Sequence, residues 1–354
     1  SLLEKAWNQL IARHDMLRMV VDADGQQRVL ATTPTYRIPR DDLRALSPQE
    51  QRLALEKRRQ ELSYRVLPAD QWPLFELVVS EIDDCRYRLH MNLDLLQFDV
   101  QSFKVMMDDL AQAWRGETLA PLDITFRDYV MAEQARRQTA AWHDAWEFWQ
   151  EKLPQLPLAP ELPVVETPPE TPHFTTFTST IGKPAWQAVK QRWQQQGLTP
   201  SAALLTLFAA TLERWSRTAE FTLNLTFFNR QPVHPQINQL IGDFTSVTLV
   251  DFNFTAPATL QEQMQRTQQR LWQNMAHSEM NGVEVIRELG RLRGSQHQPL
   301  MPVVFTSMLG MTLEGMAIDR AMSRLFGEPC YVFTQTPQVW LDHQVMESDG
   351  ELTF

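Results

Sequence analysis

Between residues 2 and 15 the apolar positions Leu2, Leu3, Ala6, Trp7, Leu10 and Ile11 recur at intervals of three and four, which predicts an amphipathic helix. MLRMVVDADGQQRVL then sets two apolar runs around the turn signal Asp24-Gly25, the pattern of a β-hairpin. Ser47-Pro48 opens a helix over 48–63, with a capping serine followed by proline at the first helical position. PLFELVVSEI and CRYRLHMNLDL alternate as strands on either side of Asp83-Asp84, and VQSFKVMMDDLAQAWRG makes a helix ended by Gly116. A tryptophan-rich helix is expected over 125–152.

The alternation then stops. LPQLPLAPELPVVETPPETP, residues 153–172, is too rich in proline for a helix and reads as an extended connector. The second half repeats the logic of the first. A strand near 174–182 precedes helices near 184–196 and 199–216, and strands follow at 221–229 and 244–254. Helices near 257–278 and 282–291 lead to the strand MPVVFTS at 301–307, and residues 331–348 read as strands. The pattern predicts an α/β protein of two alike lobes with a cleft between them: an N-terminal lobe over 1–152, the connector over 153–172 and a C-terminal lobe over 173–354.

Composition narrows the function classes. Hydrophobic residues make up 43% of the 354 positions and charged residues 21%, the balance of a protein with a substantial core. The formal net charge of −10, with no cluster of Lys and Arg, argues against nucleic-acid binding. No apolar run approaches the roughly 20 residues that span a bilayer, so no membrane association is expected. Cys85 and Cys330 stand far apart, which fits a reducing cytoplasm better than a disulfide framework. The histidines include no pair at helical metal-ligating spacing, and no metal is expected. A Gly-x-Ser-x-Gly nucleophile elbow, a phosphate loop and a dinucleotide fingerprint are all absent. The chain starts inside a helix and stops just after a strand-like stretch, which suggests a segment of something longer.

Four stretches carry candidate chemistry. NLDLLQFDVQS (92–102) sets Asp94 and Asp99 among leucines, phenylalanine and valine, where a carboxylate needs a partner or a role. A separation of five puts the two about 140° apart on a helix and on opposite faces of a strand, so they do not share one regular face. With a strand ending near 94 and a helix beginning near 100, Asp99 suits an N-cap with an ion pair; proton transfer by either aspartate is the competing reading. TQTPQVWLDHQ (334–344) offers Asp342-His343, but neighbouring strand residues point to opposite sides, so at most one faces a given cleft. An aspartate in a partly apolar cleft has a raised pKa suited to taking and returning a proton, although the segment also fits a plain polar strand edge. MPVVFTSMLG ends a buried run in Thr306-Ser307, and FFNRQP ends another in Asn229-Arg230. Strand ends are where α/β proteins place ligands, and also where turns begin.

Taken together and in order, these stretches resemble the heterocyclization domains of nonribosomal peptide synthetases, within the condensation-domain superfamily. The hallmark Asp-x-x-x-x-Asp-x-x-Ser is matched by Asp94, Asp99 and Ser102. RHDMLRMVVDADGQQ (13–27), LPQLPLAPELP (153–163), TPSAALLTLFAATLERW (199–215), GDFTSVTLVD (242–251), MPVVFTSMLG (301–310) and TQTPQVWLDHQ (334–344) follow the family order over most of the chain. The look is that of siderophore synthetases of the yersiniabactin type. The family's opening segment is missing, as is the region after the Asp-His-Gln segment, so the resemblance implies truncation at both ends. Ordinary condensation domains carry His-His-x-x-x-Asp-Gly where this chain has Asp94-Leu95, which points toward cyclization.

The resemblance implies two chloramphenicol-acetyltransferase-like lobes arranged as a V-shaped pseudodimer with a central tunnel. Upstream and downstream peptidyl or aryl carrier proteins would deliver substrates on 4'-phosphopantetheine, alongside adjacent synthetase domains, with no cofactor bound directly. An acyl thioester and a cysteinyl, seryl or threonyl thioester would first form an amide and then lose water to give a thiazoline or oxazoline. By the same resemblance Asp342 is the acid/base, Thr306 orients it or the departing oxygen, and Asn229 positions the amide. Asp99 would pair with Arg18 or Arg230, Asp94 is structural, and Gln338 belongs to the Asp342 motif. A condensation-only acyltransferase and an inactive carrier-docking domain are the alternatives.

Overall fold

A computed structural model of the chain describes residues 1–165, 173–228, 230–294, 299–309, 326–327, 329–336 and 338–354. Within them, two compact units draw on both halves of the sequence. The first combines Ser1–Ala132 with Arg230–Phe244 and the described residues of 316–333; the second holds the described residues of Glu133–Asn229, Thr245–Gly315 and Thr334–Phe354. No described helix is long and apolar enough to cross a membrane.

In the first unit, helix α1 (Leu2–Arg13) opens with a capping box between Ser1 and Glu4. Its stripe of Leu3, Ala6, Trp7, Leu10 and Ile11 is buried and packs against α3 (Val100–Trp114), which buries Met106, Met107 and Leu110. Trp7 lies edge-on to Phe75 with ring centroids 5.2 Å apart. Complete burial of one such apolar side chain contributes about 1.5–3 kcal/mol. The hairpin forms as β1 (Met19–Val21) and β2 (Gln27–Val29), with Gly25 in the turn at φ 80°. Helix α2 runs Pro48–Ser63, capped by Ser47. A three-stranded sheet sets β3 (Arg40–Asp42) parallel to β4 (Phe75–Glu81), which pairs antiparallel with β5 (Tyr87–Leu93). β3 carries no apolar alternation, because it is an edge strand held by backbone pairing and not by a buried face; the periodicity gave no sign of it.

The helix expected over 125–152 is two helices, α4 (Phe126–Arg136) and α5 (Ala140–Lys152). Thr139 separates them: its hydroxyl donates to the Arg136 carbonyl and accepts from the Trp142 N–H as the N-cap of α5. Ala145 and Trp149 of α5, with Leu153 and Leu156 from the start of the proline-rich stretch, are buried beside Leu249, Val285 and Leu289 in the second unit. That packing puts the change between units after Ala132, ahead of the connector expected at 153–172.

The second unit is built on a six-stranded sheet in the order β6 (Thr180–Ile181), β11 (Glu351–Thr353), β10 (Leu341–Ser348), β9 (Val303–Ser307), β7 (Glu220–Phe228), β8 (Thr245–Asn253). The three central strands β10, β9 and β7 run parallel. One face buries Phe221, Leu223, Val250, Phe305 and Val345 with residues of α6 (Lys183–Gln195) and α7 (Pro200–Glu213); Leu249, on the other, joins the cluster of α5 and α9 (Gly282–Arg293). Helix α8 (Leu260–Ala276) begins with a Thr259–Glu262 capping box. Two expected strands are shorter than their sequence pattern. From 174–182 the strand is Thr180–Ile181, with Ser179 exchanging backbone hydrogen bonds with Phe354 just before it, and the 331–348 stretch joins the sheet from Leu341 onward. There the Val339 N–H donates to the Thr336 carbonyl, closing a turn that delays the ladder.

Candidate active site

Asp94 closes the turn after β5. Its N–H donates to the Leu74 carbonyl, and its side chain accepts from the Leu96 N–H at 3.0 Å. Leu95 and Leu96 are exposed while Gln97 and Phe98 are buried, so the apolar look of this stretch belongs to half of it. Asp99 follows as the N-cap of α3, accepting from the Ser102 N–H at 2.6 Å. Arg230 Nη2 donates to Asp99 Oδ1 at 2.9 Å and to Ser102 Oγ at 3.0 Å, while Nη1 donates to the carbonyls of Ile237 and Leu240. The guanidinium also lies over the Phe244 ring, 4.0 Å from its centroid. Burial pulls the pKa of Arg230 below its ordinary value, and the charge on Asp99 opposes that. Ser102 Oγ in turn donates to the Gly242 carbonyl at 2.7 Å and accepts the Gly242 N–H at 3.0 Å. A Cβ at Gly242 would collide with the Phe126 ring, so only glycine brings this backbone close enough. Of the two arginines expected for Asp99, Arg230 is the partner; Arg18 donates to the carbonyls of Leu30, Ile11 and Ala12.

Thr306 and Asp342 meet in the second unit. They sit on adjacent parallel strands, with Asp342 in register with Val304 and Gln344 in register with Thr306. The Thr306 hydroxyl donates to Asp342 Oδ1 across a long 3.4 Å, and Gln344 Nε2 donates to Asp342 Oδ2 at 2.7 Å. Asp342 is exposed, yet the protein packed beside it strips enough hydration to push its pKa above the ordinary carboxylate value. Both hydrogen bonds and the neighbouring His343 act in the opposite direction. His343 points to the other face of the strand, where it stacks on Phe208 at 4.4 Å and contacts Phe305; burial lowers its pKa. The two members of the apparent dyad are therefore separated by the sheet.

Gln338 is exposed in the turn before β10, and Asn229 lies outside the described residues. Sequence reading missed three polar residues that share the Asp342 face. Thr226 is in register with Thr306 and Asn224 with Val304, so Thr226, Thr306 and Gln344 form one row across β7, β9 and β10. Among the described residues, the buried Oδ1 atom of Asn224 has no hydrogen-bond partner. The signal for Asn224 and Thr226 was the period of two in FTLNLTFF, where Thr222, Asn224 and Thr226 alternate with Leu223 and Leu225, and for Gln344 it was the two-residue spacing from Asp342.

The condensation domain family matches residues 1–320, and the chain belongs to that family. It is 36% identical over 364 residues to pyochelin synthetase PchF of Pseudomonas aeruginosa, covering 99% of this chain and 19% of that protein. It is likewise 36% identical to phenyloxazoline synthase MbtB of Mycolicibacterium paratuberculosis, covering 98% of this chain and 29% of the relative. The chain thus spans about a fifth to under a third of the length of these relatives. Among solved structures, the EpoB nonribosomal peptide synthetase cyclization-docking bidomain from Sorangium cellulosum superposes with a TM-score of 0.85 at 34% identity, covering 99% of this chain and 71% of that one. The fold is accordingly the α/β, chloramphenicol-acetyltransferase-like fold of these domains, and the ordered motifs are those of heterocyclization-type relatives.

Proposed function

We propose that the domain joins an upstream acyl thioester to a carrier-bound cysteine, serine or threonine and then closes the product to a thiazoline or oxazoline. Peptidyl or aryl carrier proteins on both sides would present the substrates on 4'-phosphopantetheine, next to further synthetase domains. The names of a phenyloxazoline synthase and a cyclization bidomain among the relatives support this reading. So does Asp94-Leu95 at the position where condensing domains carry two histidines.

The observation that carries it is the Thr306–Asp342 pair. In the first step the substrate amine attacks the acyl thioester, and the pantetheine thiol leaves. The side-chain SH or OH then adds to the new amide carbonyl, giving a ring carbon that bears a hydroxyl. For water to leave, the ring N–H proton must be removed as C=N forms, and the departing hydroxyl must receive a proton. One carboxyl group whose pKa lies above the ordinary carboxylate range can take the first proton and supply the second. Asp342 is assigned that exchange, Thr306 its orientation, and Asn229 the placement of the amide.

The test is intact-mass analysis of a holo carrier protein after reaction, with Cys, Ser and Thr each offered as acceptor. Asp342→Asn is expected to leave linear amide without loss of water. Heterocycle forming at the wild-type rate in that variant would remove Asp342 from the step. Amide alone from the unaltered protein with every acceptor would make it a condensation-only acyltransferase.

A further inference from the structure

Asp342 is held by neutral donors. Gln344, two positions further along β10, projects from the same face and donates from Nε2 to Asp342 Oδ2 at 2.7 Å. The same amide nitrogen lies 3.4 Å from Thr334 Oγ1, which ties it to the segment preceding the strand. An ionised carboxylate only accepts, so the amide must turn its NH2 toward Asp342. Thr306 approaches the other oxygen, Oδ1. The two contacts fix the plane of the carboxyl group and give its oxygens different surroundings.

We propose that Gln344 is a positioning residue for the water-losing step: by anchoring Oδ2 it leaves Oδ1, beside Thr306, as the oxygen that exchanges protons with substrate. The inference rests on the function proposed above. In the step, Oδ1 takes the ring N–H proton, the N–H electron pair becomes part of C=N, and the C–O bond breaks. The oxygen leaves as water carrying the proton returned by Asp342, so no further reactant is needed.

A glutamine suits this task better than a cation. A guanidinium would hold the carboxylate charged far below neutral pH, whereas an amide orients it and leaves its proton affinity within reach. The contrast with Asp99, gripped by Arg230, separates a carboxylate that holds structure from one that exchanges protons. Among the described residues, β9 presents Val304 and Thr306 to this face and the preceding segment presents Thr334, none of them titratable. His343, on the opposite face of the same strand, is the titratable neighbour among the described residues that acts on Asp342, and burial there favours its neutral form. Because the Gln344 contact favours the charged carboxylate, its loss raises the Asp342 pKa further and moves the acid limb of cyclization to higher pH.

The experiment follows linear amide and heterocycle separately against pH in the intact chain with holo carrier proteins. Gln344→Leu is expected to keep forming amide while heterocycle slows by about 10- to 100-fold, the scale of a misplaced reacting group, with its acid limb displaced upward. Gln344→Glu keeps the shape but replaces the donor with a second carboxyl, and should displace the limb further; it also carries the test if circular dichroism shows that the leucine variant does not fold. The proposal is overturned if both steps fall together with an unmoved acid limb, or if both variants cyclize as wild type. Asp342→Asn, run in parallel, separates the two levels. Continued water loss there defeats the proposed site itself, whereas blocked water loss alongside wild-type Gln344 variants defeats only the positioning role.

Discussion

Arg230 Nη2 lies 2.9 Å from Asp99 Oδ1, across 131 residues of sequence, and both side chains are nearly sealed from solvent, at 4% and 0% exposure. Removing the carboxylate would take away the α3 cap, a loss of about 1 kcal/mol. It would also strand a buried guanidinium, which typically destabilises by about 3–5 kcal/mol. Asp99→Ala is therefore expected to lower the thermal midpoint sharply and to reduce amide and heterocycle formation together. A wild-type melting curve with only heterocycle lost would mean that Asp99 belongs to the chemistry instead.

How far this was legible from the sequence depends on whether the cause was local. The α3 cap needed only Asp99, Ser102 and the helical period after them, all within a few residues. The Arg230 partnership was open between two candidates, because nothing in local spacing distinguishes Arg18 from Arg230. The choice is made by Phe244, Gly242 and the carbonyls of Ile237 and Leu240, which converge only in the fold. The helical pattern over 125–152 fails for the opposite reason: one hydroxyl, Thr139, outweighs a continuous helical period. The alternation of β10 puts Gln344 on the Asp342 face, but only the fold shows that its amide reaches Asp342 Oδ2 and that Thr306 lies alongside.

Gly242 tests how tightly the first unit packs around that ion pair. A methyl group there meets the Phe126 ring directly, and Phe126 is itself wedged against Tyr129 and Phe244. Gly242→Ala is expected to cost about 1–3 kcal/mol of stability, the usual penalty for overpacking. Trimming the obstacle should recover part of it, so Gly242→Ala with Phe126→Leu should melt above Gly242→Ala alone. Chemical denaturation of the wild type and both variants checks this; no recovery would show that the glycine is required for another reason.

Thr306 is expected to act through its hydroxyl alone. Thr306→Val keeps the β-branched shape inside the strand but removes the donor to Asp342. Since that bond is long, the variant should slow heterocycle formation by about tenfold while Thr306→Ser retains most of it, as expected for an orienting group. Carrier-bound product masses over time provide the comparison. Equal rates for serine and valine variants would leave the hydroxyl without a role.

Asp342 also makes a prediction about stability that is independent of turnover. Its folded-state pKa is raised, so folding disfavours its charged form. Well below the ordinary carboxylate pKa the group is neutral in both folded and unfolded chains and contributes no difference. As the pH rises through the unfolded-state value, the unfolded chain ionises first, and the group then opposes folding, reaching its full effect above the folded-state value. Asp342→Asn keeps an acceptor for the Gln344 amide and removes the charge. The variant and wild type should thus differ least in thermal midpoint in acid, with the variant gaining on wild type toward neutral pH, even as water loss from the linear amide stops. A midpoint difference that stays constant between acid and neutral pH, or one that moves against the variant, would show that the surroundings of Asp342 do not penalise its charge and would weaken its assignment as the group that exchanges protons.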